Sequence, residues 1–136
     1  MRVARMAGIA SVAVALGVAS LASAHVVKYP TKSLSVGYTN DDDPTADEID
    51  FFSGKLSAGK AACQANRQVV VVADVPGVDV ELGSDRTTAS GDWRVFAEDV
   101  EAASYYASAE RKTLKLTVDH RHICRAVRSS SIGAGP

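Results

Sequence analysis

The chain opens with a leader that decides where, and in what redox state, the rest can fold. Arg2 and Arg5 form a small cationic head, and Met6 to Leu21 carries no charge at all. Ala22-Ser23-Ala24 follows, a small-x-small site of the kind signal peptidase cuts. The apolar stretch is at the short edge for a membrane span and ends in a cleavage site, not in a stop-transfer charge cluster. Residues 1–24 are therefore expected to be removed, leaving His25 as the first residue of a secreted chain in an oxidising compartment. What remains is 112 residues, one domain's worth.

Two cysteines survive, Cys63 and Cys124, and two cysteines allow a single pairing. With so long a loop closed, the bridge is expected to contribute about 4 kcal/mol in the chain-entropy account. Losing Arg2 and Arg5 leaves thirteen basic against sixteen acidic side chains, net −3. That balance argues against nucleic acid, whose binders need a basic excess on one face. No later stretch approaches the length of a membrane helix, so no membrane span is expected after cleavage.

The body of the chain reads as short strands separated by turns. Ser33 to Tyr38 alternates polar and apolar. In Phe51 to Ser57, Phe52, Gly54 and Leu56 share one face while Phe51, Ser53 and Lys55 share the other. Gln68 to Ala73 holds four consecutive valines, which suggests a strand covered on both faces or capped by a neighbouring loop. Pro76-Gly77 meets the needs of a tight turn, with φ preset at Pro and free to be positive at Gly. Val78 to Thr88, Trp93 to Ala97, Ser104 to Ala109 and Thr113 to Val118 continue the series, with Leu114, Leu116 and Val118 on one face. His122 to Val127 brings in the second cysteine. Residues 25–32 read as a flexible leader, 98–103 as ambiguous, and 129–136 as a frayed tail. The expectation is an all-β, antiparallel sandwich over 33–128, of about seven or eight short strands with one disulfide.

Over residues 50–127 the order of motifs resembles secreted bacterial modules of the transthyretin-like, carboxypeptidase-regulatory-like β-sandwich type. The matching run is Phe52-Ser53-Gly54-Lys55-Leu56-Ser57, Cys63, Arg67-Gln68-Val69-Val70-Val71, Gly83-Ser84, Thr87-Thr88, Gly91-Asp92-Trp93, Val95, Tyr105-Tyr106-Ala107 and Cys124-Arg125-Ala126. The resemblance implies an extracellular immunoglobulin-like or transthyretin-like sandwich serving as a binding, spacer or surface module without catalysis. It names no ligand. A true immunoglobulin domain fits less well, because Trp93 lies thirty residues after Cys63 and His122 stands where a tyrosine corner would be. The terminal Tyr-Arg-Gly-Ser signature of the hydrolase branch is absent, so that activity is not carried over.

Four groups of residues carry candidate chemistry. The acidic run Asp41, Asp42, Asp43, Asp47, Glu48 and Asp50 lacks the glycine and terminal glutamate of a calcium loop and is interrupted by Pro44; it reads as a solvated loop. Asp119-His120-Arg121-His122 has no nucleophile elbow, zinc-protease motif or phosphate loop beside it, so no enzyme is expected. Among the aromatics, Trp93 is assigned to the core. Phe96, Tyr105 and Tyr106 are candidates for contact with a protein or glycan partner, with one tyrosine of the pair facing outward. The preferred reading is thus a non-catalytic recognition or structural module with no cofactor. The alternative is a copper protein. Cleavage before His25 places an amine and an imidazole on one residue, and His120 and His122, two apart on a strand, project to the same face. Nitrogen-rich sites of that kind suit copper.

Overall fold

A computed structural model describes residues 24–39, 50–97 and 104–133. The expectations for residues 1–23, for 40–49 with the acidic run as far as Glu48, for 98–103 and for 134–136 of the tail lie outside the described residues. Among the described residues, eleven strands and one helical turn make an all-β sandwich. Among the described residues no helix is long and apolar enough to cross a membrane.

The first layer is built on β4 (Phe51–Ala58), which pairs on one edge with β2 (Thr31–Leu34) and β3 (Gly37–Thr39) and on the other with β7 (Asp92–Phe96). The second runs β11 (Val127–Arg128), β8 (Tyr105–Ala109), β5 (Gln68–Val75) and β6 (Val78–Arg86). The period-2 face of β4 supplies Phe52 and Leu56 to the space between the layers, and β5 supplies Val69, Val71 and Ala73. Trp93, Val95, Tyr105 and Ala107 complete that core. Each large side chain fully buried there contributes about 1.5–3 kcal/mol. On the opposite face of β5 Val72 is buried and Val70 half-buried, so the second face of the valine run is covered in part.

Two glycines fit their places for stated reasons. Gly77 sits at φ +93° in the β5–β6 turn, a conformation that favours glycine. Gly54 lies under the point where Ser35 crosses β4: the Ser35 amide donates to the Lys55 carbonyl at 3.0 Å. A Cβ on Gly54 would strike the Ser35 carbonyl and come within 2.8 Å of the Trp93 ring. The crossing splits the expected strand 33–38 into β2 and β3.

A third, smaller sheet was not anticipated. β1 (His25–Tyr29) lies parallel to β10 (His120–Cys124), which pairs antiparallel with β9 (Lys112–Lys115). Residues 25–32, expected as a leader outside the fold, therefore contribute β1 and the start of β2, because the open edge of β10 offers a full ladder. At the other end, Ser129 is buried and its hydroxyl accepts from the Ala107 amide at 2.9 Å, while Ile132 exchanges backbone hydrogen bonds with Tyr105. The start of the expected tail is thus part of the fold. Leu116 and Val118 are exposed, Val118 at 87 %, because β9 ends at Lys115 and the hairpin tip carries them into solvent.

The Cys63–Cys124 disulfide joins the helical turn α1 (Ala61–Gln64) to the end of β10. Beside it, the buried guanidinium of Arg67 donates to the Cys63 carbonyl at 3.0 Å, to the Arg125 carbonyl at 3.1 Å and to the Glu110 carbonyl. Burial lowers its pKa from the ordinary arginine value. Together these fasten the small sheet to the sandwich.

Candidate metal centre

The three histidines of the chain meet on one face of the small sheet. The parallel register sets His25 opposite His120, Val27 opposite His122 and Tyr29 opposite Cys124. Strand alternation turns His25, Val27 and Tyr29 to the same side, as it does His120, His122 and Cys124. The His25 and His120 rings lie 5.0 Å apart between centroids, and those of His120 and His122 4.8 Å apart. The closest approach is between the Nε2 atoms of His120 and His122, at 3.0 Å.

The face grades from open to closed along β10. His25 is exposed, His120 half-buried and His122 buried at 6 % exposure. Tyr29 stands T-shaped to His122 with centroids 4.9 Å apart, and the Lys60 ammonium lies 5.0 Å above the Tyr29 ring. Leu114 of β9 occupies the position across from His122 on the other side. The Nδ1 atom of His122 is buried without a hydrogen-bond partner. Burial lowers the His122 pKa first, and the positive charges of Lys60, His120 and His25 add to the effect. Both effects favour the neutral imidazole of His122, the form whose lone pair binds metals.

No family model, curated protein or solved structure matches this chain.

Among the described residues, no three His, Cys, Asp or Glu side chains converge into a ready-made metal cage. The convergent element is the pair. Without metal the two Nε2 atoms share a hydrogen bond, one donating its proton to the other, so an ion can take both lone pairs only once that proton leaves or moves to Nδ1. Two nitrogens 3.0 Å apart subtend about 95° at an ion about 2.0–2.1 Å from each. That is the angle of adjacent positions in a tetragonal site, and it is narrower than a tetrahedral one.

The other sequence candidates are distributed differently. Cys63 and Cys124 are bonded to each other. Phe96 is 63 % exposed, whereas Tyr105 and Tyr106 are both buried, which corrects the expectation that one of them faces out. They alternate as a strand requires, but β8 is an inner strand covered on both faces: Tyr105 packs on Phe52, and Arg128 lies over Tyr106 at 3.4 Å. Of the proposed aromatic contact surface only Phe96 is offered to solvent. Asp119 enters the histidine face through its backbone, its carbonyl accepting from the His25 N–H at 2.7 Å. Tyr29 and Lys60 were not singled out from the sequence, since nothing local ties either to the histidines.

Proposed function

We propose that this chain is an exported β-sandwich module of the transthyretin-like type that binds a transition-metal ion, Cu(II) in preference to others, at His120 and His122 with His25. The single supporting observation is the 3.0 Å separation of the two Nε2 atoms. An all-nitrogen donor set and an angle near 90° favour Cu(II), which also stands above its neighbours in intrinsic affinity. Burial of His122 against the Tyr29 ring makes one ligand rigid, and the disulfide two residues later fixes the strand that carries it. The role assigned is metal binding outside the cell, with no reaction attached to it.

The test is a Cu(II) titration of the folded, disulfide-bonded chain, followed by electron paramagnetic resonance. One equivalent giving a type 2 spectrum with nitrogen hyperfine structure is the expected result. His120→Ala combined with His122→Ala abolishes that spectrum while leaving the far-ultraviolet circular dichroism unchanged. If the double variant holds Cu(II) as tightly as its parent, the assignment is wrong.

A further inference from the structure

Arg67 is a buried charge without a counter-charge. It is only 2 % exposed, and its three side-chain hydrogen bonds all go to neutral backbone carbonyls. Charged side chains this deep are ordinarily paired with the opposite sign. Three more cations gather beside it: Arg67, Arg86, Arg111 and Lys112 line one cavity of about 240 Å³, in which Glu110 is the one carboxylate. Sheet register brings them together. β5 pairs Gln68 with Arg86 of β6 on one side and Val69 with Ala109 of β8 on the other, so Arg86 and the link Glu110-Arg111 flank the start of β5. Lys112 opens β9, and its ammonium donates to the Ala65 and Asn66 carbonyls at 3.1 and 3.3 Å, which leaves one proton over. Among the described residues the one ion pair is Lys55 with Asp92, so none of these four cations is paired. The cations also act on one another: burial lowers the Lys112 pKa below the ordinary lysine value, and the charges of Arg67 and Arg86 lower it further.

We propose that this cavity binds a doubly charged tetrahedral oxyanion, a sulfate or phosphate group, between Arg86, Arg111 and Lys112, with the buried Arg67 adding its charge. Four positive charges against the single carboxylate of Glu110 leave an excess of three, which a dianion offsets better than a carboxylate ligand does. Guanidinium and ammonium groups are the donors that recognise such oxyanions. The volume is below the roughly 300–1,000 Å³ of sites for drug-sized ligands and suits the anion alone or the anionic end of something larger. The cavity shares no residue with the histidine face, so loss of either site leaves the other intact.

Isothermal titration calorimetry of the folded, disulfide-bonded chain tests this, with sulfate, phosphate and acetate compared at one ionic strength set by sodium chloride. The dianions are expected to bind about tenfold tighter than acetate. Arg86→Gln combined with Arg111→Gln, both at exposed positions, should weaken dianion binding about tenfold with the circular dichroism unchanged. Glu110→Gln removes only the opposing charge and should strengthen binding about threefold, a gain that damage to the fold would not produce. Sulfate and phosphate bound alike mean that the site reads the shared tetrahedral dianion, and a preference for one names the group; either result supports the assignment. Dianions bound no tighter than acetate, or a double variant that binds sulfate like its parent, overturn it. Should the double variant unfold, the Glu110→Gln comparison decides, and an unchanged or weakened affinity there overturns the assignment.

Discussion

The guanidinium of Arg67 reaches the carbonyl of Arg125, 58 residues later, at 3.1 Å, and so ties the first turn after α1 to the strand that bears two histidines. The same group serves the carbonyls of Cys63 and Glu110. A charged donor to three carbonyls in a buried place cannot be removed without leaving acceptors unpaired. Arg67→Met is expected to cost about 3 kcal/mol or more, as both hydrogen bonds and acceptor solvation are lost. Arg67→Lys keeps the charge but not the fork, and should recover only part of it. Urea unfolding of the three chains reads the order directly; equal midpoints would show that water or rearranged backbone replaces the guanidinium.

Cys63 and Cys124 close a loop with a separation of 61 residues. Replacing both by serine should lower stability by about 4 kcal/mol if the effect is chain entropy. The same change frees the end of β10 from α1, so Cu(II) affinity should fall in the still-folded fraction. A double variant that melts at the parental temperature would refute the first statement, and one that binds Cu(II) undiminished the second.

Legibility followed locality. β4, β5, β7 and β8 were readable because each carries its own alternation or β-branched run, and the β5–β6 turn because Pro76-Gly77 admits few other conformations. The disulfide needed only a count. β1 was not readable: His-Val-Val-Lys-Tyr has no strict alternation, and its partner is a parallel strand 95 positions away whose register no local pattern encodes. The meeting of His25 with His120 depends wholly on that register. The reverse error occurred at Leu116 and Val118, where alternation persists past the end of β9 into a hairpin tip that packs on nothing. Tyr105 and Tyr106 misled in a third way, since alternation separates two faces but does not say that either meets water.

Gly54 is a place where sequence pattern and packing make opposite demands. It occupies an inward position of β4, where a larger apolar residue would ordinarily add burial. The Ser35 carbonyl and the Trp93 ring already fill the space its Cβ would take. Both obstacles are constrained, the carbonyl by the β2–β3 crossing and the ring by the core. Gly54→Ala is expected to destabilise by about 1–3 kcal/mol, in the range of overpacked cores. Thermal unfolding checks it, and a neutral or stabilising result would mean that the crossing at Ser35 yields easily.

Tyr106 gives the fold an alkaline limit. Its hydroxyl donates to Asp79 Oδ2 at 2.8 Å, joining β8 to β6 across β5. That hydrogen bond raises the phenol pKa above its ordinary value; burial and the Asp79 charge raise it further, against the opposing charge of Arg128. The folded state therefore favours the protonated phenol. The resulting stability is complete below the unfolded tyrosine pKa, about 10. It is lost as pH climbs from there through the higher folded value. Tyr106→Phe removes the donor and should flatten this decline while lowering stability at neutral pH. Titration of phenolate absorbance should lose one late-ionising group in the variant. If instead the variant's stability falls with pH as steeply as the parent's above pH about 10, another group sets the limit.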